Sequence, residues 1–438
     1  MRELNIKISE KIEAFILSNL VPSSERKIGI EVESIFYNSD MKRLPVNKCE
    51  QFSAESFLRE MQKLKQEEKI EGTFSLEPGG QLEWSSPPCK DLFSINDQFQ
   101  TQMRRTKEIC NQNNLLLVDY ALEPLYSPEE IDLINMKKYR LMHSKFLHTG
   151  NHGTWMMRNT ASVQINIDVT SKKDAEEMAF IADCLQPLSS ILFSNSPFLK
   201  GKPAGKENLR YKIWNDTDSI RCNYLLDHTI ESIEGLIKKY CEYVQKVPAI
   251  FMKDTNNSIQ EYRETLGGWL AGLEKRNQIR DEHILTVLRQ IFTHVRFKHV
   301  LEVRGCDRPP CGYEMAPVSF WVGLLCADVS RKSILAMLKN WTIEERKQLN
   351  NSAQHLDISR NGPQGKPIRE WLKKVCTFAL EGLEERQKKP QIKNEFFLLE
   401  EFIDDFFKNG PKGIFIQKKF RKTGQKIVEF IKSNCSKD

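Results

Sequence analysis

The stretch KIGIEVESIFY, residues 27–37, puts two carboxylates on one face of a strand. Ile28, Ile30, Val32 and Phe36 alternate as a buried face does, which leaves Glu31 and Glu33 together on the other face. Side chains two residues apart on a strand point the same way, about 7 Å from each other. The same arrangement returns in three more places. In FSLEPGGQLEWSSPP, Glu77 precedes a Pro78-Gly79-Gly80 turn, and Gln81 and Glu83 follow it on the face opposite Leu82 and Trp84. Pro then Gly at the centre of that turn predicts type II geometry, because Gly accepts positive φ. In SVQINIDV, Gln164, Asn166 and Asp168 oppose Val163, Ile165, Ile167 and Val169. In VRFKHVLEVRG, read as one strand, Arg296, Lys298, Glu302 and Arg304 oppose Phe297, Leu301 and Val303.

Each of these polar faces, taken alone, also suits plain solvated surface. If the strands share one sheet, its second face gathers Glu31, Glu33, Glu77, Glu83 and Glu302 with several amides and arginines. Carboxylates crowded into one concave space repel and rise in pKa unless something neutralises them. Hard divalent cations do so and take oxygen ligands. Mg²⁺ beside arginine is the apparatus of phosphoryl transfer.

Between the strands the chain reads as helices at irregular spacing. SAESFLREMQKLKQEE, LFSINDQFQTQMRRTKEICNQNN and KDAEEMAFIADCLQPLSSILF carry helical patterns, the last interrupted near Pro187. Residues 124–155 read as a long irregular segment. Strands that alternate polar and apolar predict an antiparallel α+β fold, since buried parallel strands are more continuously apolar. No linker or internal repeat divides the 438 residues, so the expectation is a single domain over 1–438, mostly helical from about 326 to 438.

Several other chemistries lack their signatures. There is no P-loop, no Rossmann glycine fingerprint and no HExxH. His143, His148 and His152 read as polar loop histidines rather than a metal site. The net charge of +6 suits anionic small molecules, without the concentrated basic stripe of a nucleic-acid binder. The basic QKKFRKTGQK near the C-terminus reads as a solvated helix face, with RNA binding as the alternative. Eleven cysteines without a CxxC pair read as reduced thiols. The first twenty residues lack the apolar core of a secretory signal, and no apolar run reaches transmembrane length. These features set the expectation of a cytoplasmic protein that binds neither membrane nor nucleic acid.

The motifs IGIEVE, SLEPGGQLEWS, TASVQINID, FSNSPFLKGKPAG, RYKIWNDTDSIRC and VRFKHVLEVRGCD resemble, in this order, those of the plant-type glutamate–cysteine ligase family. They run from about residue 28 to 325, and the LEPGGQ-x-E hairpin is the most specific of them. The resemblance implies a glutamine-synthetase-like fold, with a curved, mainly antiparallel sheet forming a funnel and helices around it. It implies ligation of the γ-carboxyl of L-glutamate to the amine of L-cysteine, driven by ATP through γ-glutamyl phosphate. A same-fold ligase for another amine, or a non-catalytic nucleotide-binding protein, is the alternative. Mg²⁺, with Mn²⁺ as a substitute, is the implied cofactor, and a monomer or homodimer the implied assembly. Carried over by position, Glu31, Glu33, Glu77, Glu83, Glu302 and Gln164 become metal ligands. Gln164, Asn166 and Arg304 become ATP contacts, with Arg304 catalytic against the transferring phosphate. Gln81, Arg210, Trp214, Arg221 and Arg296 become substrate contacts, since guanidinium groups pair carboxylates bidentately. Two positions depart from the family. Asn223 stands where Gly is common, and Asn159 stands where plant members have Arg, with Arg158 one residue earlier.

Overall fold

The computed structural model describes residues 2–254, 256, 258–389 and 392–435. The expected single domain over 1–438 therefore includes residues 1, 255, 257, 390, 391 and 436–438, which lie outside the described residues.

Seven strands form the main sheet: β1 (Ile28–Tyr37), β2 (Thr73–Leu76), β3 (Leu82–Ser85), β4 (Leu116–Val118), β5 (Ser162–Ile167), β6 (Val295–Phe297) and β7 (Leu301–Asp307). Their order is β6-β7-β5-β1-β3-β2, with β4 paired to the far end of β1, and every pairing is antiparallel. The α+β expectation holds. The apolar side chains foreseen from alternation, among them Ile28, Ile30, Val32, Val163, Ile165, Ile167 and Val303, are all buried in one core. A one-residue slip would send that whole set to the polar face, so burial fixes the register.

The helix Lys172–Leu192 packs against β6 and β7. It runs unbroken through Pro187, contrary to the expected interruption. Proline removes one backbone bond inside a helix. Here nearly every residue from Asp174 to Leu192 is buried, and tertiary packing holds the turn that the lost bond leaves weaker. The helix Met315–Leu325 is buried along its whole length and lies against the helix Ile368–Gln387. The last helix, Ile427–Cys435, brings Phe430 and Ile431 into a small core with Val118 of β4. The stretch from Asp328 to Cys435 is largely helical.

Three local readings differ from the structure. VRFKHVLEVRG is two strands, with Lys298 N–H donating to Val300 O at 2.9 Å across the turn. Nothing in the alternation marks that reversal, because the turn carries no Gly or Pro. The Pro-Gly-Gly turn closes with Gly80 N–H donating to Glu77 O at 2.9 Å. Positive φ (77°) falls on Gly80, not on Gly79, so this is a type I turn followed by a left-handed residue. Gly79 is needed for space, since a Cβ there would lie 2.4 Å from Arg158 O. Finally, the irregular segment over 124–155 contains the helix Lys137–Phe146 and the start of another, Gly153–Asn159.

A carboxylate-walled cavity as candidate active site

The register of the sheet sets the polar face in rows. Ser75 of β2, Glu83 of β3 and Glu33 of β1 stand side by side. Ser85, Glu31 and Gln164 form the next row, and Asn166, Glu302 and Arg296 a third. A bulge in β7 between Val303 and Cys306 re-aims Arg304 toward Gln164. Gly305 lies in that bulge, where a Cβ would fall 1.8 Å from Gln186 Nε2 of the helix behind.

Above this floor is a cavity of about 500 Å³. Of the residues expected at the site, Glu31, Glu33, Glu77, Gln81, Glu83, Gln164, Arg210, Trp214, Arg296 and Arg304 line it. Lys138, Tyr139, Met142, Met156, Met157, Phe251, Arg289, Phe292 and Lys298 complete much of the remaining wall. Lys138, Tyr139 and Met142 come from one face of the helix that was read as irregular chain. Met142 stands three residues after Tyr139 and four after Lys138, and that helical spacing is the signal that could have found them.

The acids are unequally compensated. Glu33 accepts from Ser162 N–H at 2.8 Å and Gln164 Nε2 at 3.2 Å. Burial, reinforced by Glu77 and opposed by Arg210, pushes its carboxyl up to about 7. Among the described residues Glu83 accepts only from Ser75 Oγ, at 2.9 Å, and burial with Glu77, Glu31 and Glu33 nearby holds it well above the usual carboxylate range. Burial raises Glu77 as well, against the pull of Lys138 and Arg304. Glu31 accepts from Asn166 Nδ2 at 3.1 Å and faces Lys298 Nζ at 3.7 Å.

Glu302 behaves oppositely. Its Oε2 meets Arg296 Nε at 2.5 Å and Arg304 Nη1 at 3.0 Å, and its Oε1 meets Lys298 Nζ at 2.6 Å. Burial opposes ionisation, yet these three cations hold its carboxyl well below the usual range. Glu302 is thus the anchor of the cation row and stands apart from the open carboxylates. Arg304 also donates to Gln164 Oε1 at 2.7 Å, so Gln164 links the acid wall to the cation row. Lys138 makes no hydrogen bond or ion pair among the described residues, its Nζ resting 4.8 Å from the Tyr139 ring.

Some expected contacts belong elsewhere. Arg221 is fully buried away from the cavity, bonded to Asp218 at 2.7 Å, Pro248 O at 2.7 Å and Gln290 O at 3.3 Å. The structure therefore does not bring Arg221, expected as a substrate contact, to the cavity. Gln81 borders the cavity, but its amide is spent on Gly79 N–H, Thr160 O and Met157 O. It clamps the hairpin to the chain ahead of β5. Asn166 does not line the cavity and holds Glu31 instead. Arg158 donates to Pro128 O and Ile131 O, and Asn159 is buried against Tyr126 O, so neither reaches the site.

Among the described residues no three His, Cys, Asp or Glu side chains converge as a ready-made metal cage. The donor chemistry nonetheless fits a hard cation. Glu31, Glu33, Glu77 and Glu83 offer oxygen only, line the cavity and, among the described residues, have no ion pair shorter than the 3.7 Å contact of Glu31 with Lys298.

The antiparallel sheet thus carries a carboxylate-walled, cation-rimmed cavity as its candidate active site. A family model described as glutamate–cysteine ligase family 2 (GCS2) matches residues 27–435, and the chain belongs to that family. It is 29% identical over 401 residues to the chloroplastic glutamate–cysteine ligase of Nicotiana tabacum, covering 86% of this chain and 74% of the relative. It is 30% identical over 400 residues to the chloroplastic glutamate–cysteine ligase of Arabidopsis thaliana, with the same coverage of each. The fold is similar to that of glutamate–cysteine ligase from Francisella tularensis solved with AMP, at a TM-score of 0.59 and 11% identity over 94% of this chain and 88% of that one. It is also similar to a bifunctional glutathione synthetase from Pasteurella multocida, at a TM-score of 0.52 and 11% identity over 98% of this chain and 53% of that one.

The expected cytoplasmic placement is corrected by these comparisons. The relatives are named chloroplastic, and that finding overturns the expectation. An apolar core sought in the first twenty residues could not distinguish the two placements, because plastid transit segments are amphipathic rather than apolar. No described helix is long and apolar enough to cross a membrane.

Proposed function

We propose that the protein joins the γ-carboxyl of L-glutamate to the amine of L-cysteine, with ATP converted to ADP and phosphate through γ-glutamyl phosphate. The whole chain acts as one catalytic domain in this reading. The observation that carries it is the meeting, in one cavity, of four carboxylates, of which only Glu31 has an ion pair among the described residues, and the row Arg296, Lys298 and Arg304. A free carboxylate is a poor acyl donor, and phosphorylation supplies its leaving group. Glu31, Glu33, Glu77 and Glu83, with Gln164, would hold Mg²⁺ or Mn²⁺. Bound there, the ion offsets the charge of triphosphate beside carboxylate.

Arg304, held by Glu302 and Gln164, presents its guanidinium to the transferring phosphoryl group. Arg210 lies with its guanidinium carbon 5.7 Å from the Trp214 ring centre and pairs with a substrate carboxylate. The free ammonium of Lys138 adds a second anion contact. Phe251, Phe292, Met142 and Met156 form the apolar part of the wall and keep water from the acyl phosphate. Holding amine and acyl phosphate together removes, at best, about 7–11 kcal/mol of barrier.

The test incubates the protein with Mg-ATP, glutamate and each common amino acid in turn, and follows phosphate release. Cysteine should give the highest kcat/KM. EDTA should abolish turnover, and Mg²⁺ or Mn²⁺ should restore it. A higher kcat/KM with another amine reassigns the acceptor. Full activity in chelator overturns the metal reading.

A further inference from the structure

Beside the large cavity, and sharing Arg210, Trp214 and Arg304 with it, is a much smaller one of about 10 Å³ that His294 completes. Four buried polar atoms belong to these residues and have no hydrogen-bond partner: Arg210 Nε, Trp214 Nε1, Arg304 Nε and His294 Nε2. Three of them only donate, and the imidazole nitrogen alone can accept. Buried polar atoms left unpaired are costly, and they collect where an ordered water serves them. A single water needs about 10–15 Å³ and two to four polar partners. The small cavity meets both conditions.

His294 is held firmly enough to act on its neighbour. Its ring stacks parallel to Tyr211, with centroids 5.9 Å apart, and lies 4.8 Å from Tyr224. Its N–H donates to Asn223 O and its carbonyl accepts from Arg304 N–H, both at 2.9 Å. Burial, with Arg210 and Arg304 adding to it, drives the imidazole pKa down to about 3, so the ring stays neutral and one nitrogen keeps a lone pair; with the proton on Nδ1 that lone pair is on Nε2, which faces the three donors.

We propose that His294 is a positioning residue for Arg304, acting through one buried water that accepts from Arg304 Nε and donates to His294 Nε2. The water's second lone pair takes an N–H from Arg210 or Trp214. The guanidinium of Arg304 is then fixed at both ends: Nη1 on Gln164 and Glu302, Nε on the water. This inference rests on the reading of Arg304 as the phosphate contact.

Two measurements test it. The first is a crystal structure of the whole wild-type protein at a resolution that shows ordered water. A peak within hydrogen-bond distance of both His294 Nε2 and Arg304 Nε is expected, and its absence overturns the proposal whatever the activity. The second compares His294→Phe, which keeps the ring stack, with His294→Gln, which restores an acceptor. Loss of the acceptor should lower kcat about 10–100-fold while KM for ATP changes far less. His294→Gln should recover most of that loss. Equal loss in both variants, or none in His294→Phe, overturns the positioning role. A wild-type protein without ligase turnover refutes the proposed function and leaves the crystallographic test standing.

Discussion

Glu33 and Glu83 stand directly opposite one another on adjacent antiparallel strands, and neither has an ion pair among the described residues. Like charges in that position destabilise a sheet by several tenths of a kcal/mol or more, on the order of 0.2–1. The repulsion is kept at the site where a cation would relieve it. Replacing Glu83 by Gln removes the repulsion and retains an acceptor for Ser75. In metal-free buffer above pH 7, where Glu33 has lost its proton, Glu83→Gln should raise the melting midpoint by up to about 1 °C. Its turnover with Mg-ATP should nonetheless fall about 100-fold. A variant that is both less stable and fully active would mean the pair is ordinary surface.

Arg304 uses one nitrogen, Nη1, for both Gln164 and Glu302, so the other arm of its fork is what a lysine ammonium could not supply once it had made the same two bonds. Arg304→Lys keeps the charge and loses the fork. Turnover should drop about 10²–10³-fold, with ATP affinity changed much less. An unchanged kcat removes Arg304 from the reacting centre, and a loss confined to affinity makes it a ground-state contact.

How much of this was legible in the sequence follows from where each residue's partners lie. The faces of β1 and β5 could be read because alternation over six to ten residues admits one register only. The hairpin over 295–307 could not, since its turn Lys298-His299-Val300 has the composition of a strand. Lys138 was hidden because its helix is short and mostly polar. Arg221 and Arg210 look alike as sequence, each in a loop-rich motif. Only the fold shows that Arg221 spends its nitrogens on Asp218 and two carbonyls, while Arg210 borders the cavity.

Arg221 accordingly supports a stability prediction rather than a kinetic one. Asp218 is buried with it, and removing the guanidinium leaves that carboxylate uncompensated. Arg221→Met should cost about 3–5 kcal/mol of folding stability, read by denaturant or thermal unfolding. At a temperature where the variant stays folded, KM for glutamate and for the acceptor should match wild type. A selective rise in KM without loss of stability would restore Arg221 to the substrate contacts.

Asp183 provides a pH test away from the cavity. It lies on the helix Lys172–Leu192, accepts from Leu225 N–H at 2.7 Å and sits 3.4 Å from Arg346. Burial outweighs Arg346 and pushes its carboxyl from 3.8 up to about 6. Between those two values the folded protein holds a proton that the unfolded chain has released, so stability falls as pH rises through the window. The shift corresponds to about 3 kcal/mol at most. Asp183→Asn keeps an acceptor for Leu225 and cannot titrate. Its stability should therefore vary less between pH 4 and 6 than that of wild type. Identical slopes would mean Asp183 titrates at its ordinary value.

The acyl phosphate can be followed through its oxygen. In the proposed reaction a γ-carboxyl oxygen of glutamate attacks the terminal phosphorus of ATP and leaves with phosphate when the amine displaces it. Glutamate carrying ¹⁸O in its γ-carboxyl should therefore give phosphate with one labelled oxygen, counted by mass spectrometry. Transfer should be rapid with the acceptor present and slow without it, where water must intercept the acyl phosphate through the apolar wall of Phe251, Phe292 and Met142. Sulfoximine analogues of glutamate should be phosphorylated and bind tightly, because they resemble the tetrahedral adduct after amine attack. A ligase that forms AMP would place the label in AMP and release pyrophosphate, and a binding protein without turnover would transfer none. Unlabelled phosphate from an enzyme that forms the dipeptide would refute the acyl phosphate. The assignment of Glu31, Glu33, Glu77 and Glu83 to a cation would then still be decided by the chelator experiment.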